Sequence, residues 1–216
     1  MRRLPSLRSL SAVGLLTPFL LLACIPDGDT DPTADAGLDG DAGTSGDAGT
    51  SSDAGTTSDG GAVGPTQFAT DMLEAHNAAR AAAQPTPSPA LAPLVWDATV
   101  EETARKWANN CKFEHNAGRG NAGENLAASS PNNLTTKGVV KGWDDEKSDY
   151  DYAKNACAAG KVCGHYTQVV WRNTTRLGCA YKRCTINSPF GANFPTWDLW
   201  VCNYAPPGNY TGQRPY

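Results

Sequence analysis

Six of the chain's seven cysteines, Cys111, Cys157, Cys163, Cys179, Cys184 and Cys202, fall in its last 106 residues, and the seventh, Cys24, ends an apolar N-terminal run. That division constrains the chain more than any other feature. Six thiols in an exported domain read as three disulfides. Six cysteines permit about fifteen pairings, and spacing alone does not choose between them. No paired C-x-x-C spacing is present, which argues against a zinc site built from cysteine.

The N-terminus supplies the export. Arg2, Arg3 and Arg8 precede a 14-residue, mostly apolar run from Leu10 to Ala23. The run is too short to span a bilayer and has the length of a signal core. It closes in Leu21-Leu22-Ala23-Cys24, which resembles a bacterial lipobox, where the cysteine is lipidated and becomes the mature N-terminus. Lipidation of Cys24 would also explain the odd cysteine count. Residues 1–23 are expected to be a lipoprotein signal peptide. Ile25 after the cysteine, rather than Asp, leans toward outer-membrane sorting. The expected location is the cell surface or outer membrane. A plain signal peptide would instead leave a secreted chain with a free thiol.

Residues 25–64 hold nine Asp, no Lys, no Arg and almost no large apolar side chain. Such a segment cannot bury enough surface to offset chain entropy. Asp-Ala-Gly recurs at 35–37, 41–43, 47–49 and 53–55. The spacing lacks a calcium-loop pattern, so 24–64 is expected to be a disordered, self-repelling tether carrying the lipid on Cys24. What remains, 65–216, is 152 residues with 15 Lys+Arg against 13 Asp+Glu. That is one domain in length. Its near-neutral charge gives no case for nucleic acid. A monomer is expected.

Periodicity predicts a helix over 66–83 with Phe68, Met72, Ala75 and Ala79 on one face. A proline-rich connection, 85–93, ends it. A second helix is expected at 97–110, capped by Asp97, with Val100, Ala104, Trp107 and Cys111 inward. A third is expected at 136–149, capped by Thr135 or Thr136, with Val139, Trp143, Glu146 and Tyr150 inward. The run His165 to Trp171 reads as a strand buried on both faces. Leu177 to Cys184 and Thr196 to Tyr204 read as an antiparallel pair. Helices first and strands later imply an α+β layered domain. His76 and Arg80 lie one turn apart, and His76 reads as a satisfied core histidine. Trp143, Trp171 and Trp200 read as core.

Four segments carry a resemblance: His76-Asn77-Ala78-Ala79-Arg80, Gly123-Glu124-Asn125-Leu126, Gly164-His165-Tyr166-Thr167-Gln168-Val169-Val170-Trp171, and Leu199 through Tyr210. In this order they resemble the signature set of the CAP superfamily, which comprises cysteine-rich secretory proteins, antigen five and plant pathogenesis-related group-one proteins. The likeness is strongest to the plant group, down to the ending Gly212-Gln213-Arg214-Pro215-Tyr216. It implies a three-layer α/β/α sandwich with disulfides Cys111–Cys184, Cys157–Cys163 and Cys179–Cys202. The segment between Cys184 and Cys202 is longer than in the plant pattern, which implies a remodelled hairpin tip.

The resemblance also implies a pocket of His115, Glu124, Glu146 and His165. One piece stands independently of it: Glu146 sits on the apolar stripe of its helix, and a carboxylate aimed inward needs a partner. Two imidazoles and two carboxylates suit Zn2+ or another divalent ion, and would equally serve as a hydrogen-bonded network. Family likeness further implies binding of lipid, sterol or an extracellular protein, with Pro131 to Leu134 in a plausible region for a ligand loop. A metal-dependent hydrolase is the alternative, with Glu124 as its candidate catalytic group. Ser129 and Ser130 read as ordinary loop residues outside any nucleophile motif. The tail 206–216 resembles a segment that plant members release as a signalling peptide; the competing reading is that it packs back on the domain.

Overall fold

The computed structural model describes residues 66–216. The signal peptide, Cys24 and the tether 24–64 lie outside the described residues. Helix α1 (Gln67–Ala81) begins where Thr66 Oγ1 accepts the Ala69 N–H. Strand β1 (Val95–Trp96) leads into α2 (Ala98–Ala108), whose Asp97 cap accepts from Thr99 N and Val100 N. Strand β2 (Gly123–Ser129) precedes α3 (Thr136–Asp145), capped by Thr135. A 3-10 turn (Glu146–Asp149) continues α3, and strands β3 (Tyr150–Asp151) and β4 (Ala156–Cys157) form a small hairpin. Helix α4 (Gly164–Val169) and the long strands β5 (Arg176–Cys184) and β6 (Trp197–Ala205) complete the fold.

The main sheet runs β1-β5-β6-β2, with β1 parallel to β5 and the other pairs antiparallel. Alternation along β6 sends Leu199 and Val201 to one face and Trp200, Cys202 and Tyr204 to the other. The first set packs with Ala104 and Ala108 of α2. The second packs with Met72 of α1, Trp143 of α3 and Tyr166 and Val169 of α4. These are the three layers the resemblance implies. Helix α2 lies directly on β5 because Gly178 has no side chain: a Cβ there would stand 2.0 Å from Glu101 N and 2.5 Å from Val100 C. Gly178→Ala must push helix from sheet, and is expected to cost about 1–3 kcal/mol in a denaturant titration.

All three implied disulfides form. Cys179–Cys202 joins directly opposed residues of β5 and β6. Cys111–Cys184 ties the end of α2 to β5 across 73 residues, and Cys157–Cys163 closes a six-residue step before α4. Each such bridge contributes ~2–4 kcal/mol.

Two expectations are corrected. The segment His165 to Trp171 is not a strand but mostly the helix α4. Its β-branched run loses to tertiary capping. The Glu146 carboxylate accepts from His165 N and Tyr166 N at the helix start. At its end Arg80 donates to Val169 O and Trp171 O. Opposite charges at the two ends match the helix dipole. The second correction is Ser129, a buried strand residue at the end of β2 rather than a loop residue.

Candidate functional site

A cleft of about 480 Å3 opens at the Gly123 end of β2. One wall is His115, Arg119 and the segment Ala122–Asn125. Facing it are the Cys157–Cys163 step and the tail from Pro207 to Gln213, with Gln168 and Trp171 of the α4 segment also contributing.

Glu124 is fully enclosed. Its Oε1 accepts from His115 Nδ1 at 2.9 Å and from Asn116 N at 2.8 Å, and its Oε2 accepts from Asn203 Nδ2 at 3.2 Å. His115 is 20% exposed and faces the cleft. Glu146 Oε1 accepts from His165 Nδ1 at 2.6 Å, with both residues buried. The carboxylates accept, so Nδ1 carries the proton in each ring. The four residues implied by the resemblance thus enter as two imidazole–carboxylate couples, one at the cleft surface and one beneath it. Asn125, next to Glu124, links them: its Nδ2 donates to His165 O at 3.1 Å and to Tyr204 Oη at 3.1 Å.

Below the couples lies the satisfied core histidine that helical spacing places inward, His76. His76 Nδ1 donates to Met72 O at 2.7 Å, so its Nε2 accepts from the Tyr204 hydroxyl at 2.8 Å. Burial first, and the nearby Arg80 charge in addition, pull the His76 pKa down to about 4 against the opposing Met72 bond. Trp143 lies between the two buried histidines, edge-on to His76 and stacked on His165. The role of Asn125 and Asn203 was visible only as membership of the quoted motifs. Their partners are set by strand register, Glu124 opposite Asn203 and Asn125 opposite Cys202.

The tail packs back on the domain. Gly208 N donates to Gln168 Oε1, Asn209 Nδ2 donates to Gly164 O, and Arg172 N donates to Pro215 O. Tyr216 stacks on Tyr152 and its hydroxyl donates to Gln84 O. Residue 208 must be glycine, since a Cβ would stand 2.7 Å from Trp171 Cγ. Ser129 lies at the other end of β2 from the cleft, its hydroxyl given to Ser130 O.

A second groove of about 390 Å3 opens at that opposite end, between Phe68, Leu134, Lys137, Tyr181, Arg183 and Trp200. It borders the 131–134 loop. Asp198 organises it, accepting from Asn132 N, the Tyr181 hydroxyl and Arg183. Burial works against ionisation of Asp198, yet those hydrogen bonds hold it below the usual carboxylate range.

Comparison with known proteins agrees with this architecture. The cysteine-rich secretory protein family, CAP, matches residues 73–204. A pathogenesis-related protein of PR-1 type from Sambucus nigra is 47% identical over 150 residues, covering 68% of this chain and 80% of that protein. The solved venom allergen-like protein 4 of Schistosoma mansoni superposes with a TM-score of 0.57 at 27% identity, covering 70% of this chain and 95% of its own. The crystal structure of NaASP2 with Zn2+ does so with a TM-score of 0.54 at 26% identity, covering 72% and 88%. The sheet and its bridges are therefore those of a CAP domain, and the chain belongs to the cysteine-rich secretory protein family.

Proposed function

We propose that the domain is an exported binding module, displayed on a lipid-anchored tether, whose polar cleft engages an extracellular ligand around His115. One observation carries this reading: the cleft presents an imidazole locked by a buried carboxylate. Its two cysteines are bonded to each other, and the Thr167 hydroxyl is committed to Cys163 O, Gly164 O and Asn209. Glu124 spends both oxygens on protein donors, which argues against it as a general base. Ligand classes that fit are a lipid or sterol, or an extracellular protein. Displacement of a fluorescent sterol tests the first. A wild-type chain that binds no sterol leaves a protein partner.

A divalent ion such as Zn2+ fits the imidazoles better than the carboxylates. At the cleft surface His115 Nδ1 is held by a carboxylate, the outer-shell arrangement that leaves Nε2 as the ligating nitrogen. His115 would hold the ion, Glu124 would orient it, and the His165–Glu146 couple would support the site from beneath. The ion would supply Lewis acidity toward a bound ligand. The Zn2+ in the NaASP2 structure supports the choice of metal. Among the described residues no three His, Cys, Asp or Glu side chains form a ready cage, so modest affinity is expected. Calorimetry should show Zn2+ binding by wild type, binding weakened roughly 10–100-fold in Glu124→Gln, and none in His115→Ala. Equal binding by wild type and His115→Ala would remove the metal from this cleft.

Release of 206–216 as a peptide would strip a wall from the cleft. The precursor reading and the binding reading therefore exclude each other within one molecule.

A further inference from the structure

The segment joining β5 to β6, Thr185 to Thr196, contains no Asp, Glu, Lys or Arg, in a domain that has 15 basic and 13 acidic residues. It also carries two of the most exposed large apolar side chains among the described residues, Ile186 at 59% and Phe194 at 60%. We propose that this hairpin tip is a membrane contact: Ile186 and Phe194 enter the headgroup layer of the membrane that holds the Cys24 lipid. The proposal rests on the reading that Cys24 is lipidated.

Three observations favour a lipid surface over other occupants. First, the tip is held rather than loose. Phe190 packs against the α2-side core, and Trp197 Nε1 donates to Ile186 O at 2.8 Å. Asn187 and Gly191 take positive φ, and Gly191 N and Phe194 N bond back to Ser188 O and Gly191 O. These bonds hold the turn in shape without spending a charged side chain on it. A loop without charges also avoids the cost of desolvating ions.

Second, the tip sits at the end of the domain from which the tether leaves. Thr66 and the first turn of α1 adjoin the groove that Phe68 and Asp71 share with Tyr181, Arg183 and Asp198, at the base of the hairpin. Forty-one residues separate Cys24 from Thr66. Taken as the coil their composition predicts, they span roughly 35 Å, about one domain diameter. The tip is thus within reach of the anchoring membrane. The His115 cleft, at the other end of β2 and β6, faces away from it.

Third, exposed Lys182 stands just before the uncharged loop, while Arg183 beside it is paired with Asp198. A cation beside an apolar tip matches anionic headgroups.

The test compares hydrogen exchange of the full mature chain, anchored in vesicles of phosphatidylethanolamine and phosphatidylglycerol, with Cys24→Ser in solution. Intact mass reports the lipid separately. Exchange over 185–196 is expected to slow about tenfold on vesicles while 207–213 is unchanged. The double variant Ile186→Ser/Phe194→Ser should float with vesicles as before yet regain the solution rate. Equal exchange with and without vesicles in a chain shown to carry the lipid overturns the hairpin contact alone. A chain without lipid on Cys24 overturns the anchor and the contact together. Protection that already rises with concentration in solution marks self-association, and also overturns the contact.

Discussion

Arg80→Met should lower the stability of the domain by on the order of 4 kcal/mol and its melting temperature by roughly 10 °C. Arg80 is 1% exposed, and among the described residues no carboxylate pairs with it. Its donors go to carbonyls alone: Nε to Ala92 O, Nη1 to Val169 O and Trp171 O, and Nη2 to Thr174 O. Burial, with a smaller contribution from the Arg172 charge, pulls its pKa down to about 10, so it remains a cation at neutral pH. One planar fork therefore ties α1 to the proline-rich connection, to the end of α4 and to the turn before β5. Methionine keeps much of the stem's packing but leaves three buried carbonyls, and the half-buried one of Ala92, without a charged donor. Arg80→Lys should recover only part of the loss, because one ammonium cannot reach carbonyls spread along a fork. Chemical denaturation measures the cost. Hydrogen exchange should show 164–171 loosening before β5 and β6. A Met variant within about 1 kcal/mol of wild type would mean those carbonyls find other partners at little cost.

The same residue shows where sequence reading stops. The three long helices were legible because their determinants are local: Asp97 and Thr135 cap the helices that follow them, and Met72 and Trp143 fall on apolar stripes. Strands β5 and β6 were legible as an antiparallel pair joined by a loop with Pro189 and Gly191. Helix α4 was not. Its Thr167, Val169 and Val170 favour a strand locally. What makes it a helix lies 19 residues earlier in Glu146 and 89 residues earlier in Arg80. Strand β2 was missed for the complementary reason. Gly123–Ser129 is buried throughout and rich in small residues, so it shows no alternation, and only its register against β6 defines it. The site followed the same rule. The inward aim of Glu146 was readable from helical spacing, whereas Glu124 became buried only because β2 pairs with β6 beside Asn203. Family likeness named the four residues; it did not reveal that each carboxylate is spent on orienting an imidazole.

His76 should make the domain acid-sensitive by about 3 kcal/mol between pH 6.5 and 4. Its folded pKa is lowered from 6.5 to about 4. Above 6.5 the imidazole is neutral in both states, and its full contribution is present. Below 6.5 the unfolded chain takes up a proton that the folded chain refuses. Stability then falls with pH until the folded imidazole also protonates near 4. The groups facing His76 give it no way to accept charge cheaply. Met72 O holds Nδ1, Tyr204 offers its hydroxyl proton to Nε2, Trp143 presents its ring, and Arg80 adds a like charge one helical turn away. Protonating Nε2 would also turn the Tyr204 hydroxyl away, and with it the acceptor that helps hold Asn125 beside His165. The cleft should therefore loosen on the same acid limb. His76→Gln keeps hydrogen-bonding capacity without the titration. It should begin less stable at pH 7 and show a limb between 6.5 and 4 that is flatter than wild type by about 3 kcal/mol. Carboxylates such as Asp97 and Asp198, held low by their hydrogen bonds, add their own losses at still lower pH in both proteins, so the difference between the two curves isolates His76. Parallel curves over that range would show that His76 accepts its proton in the folded state as readily as in the unfolded chain.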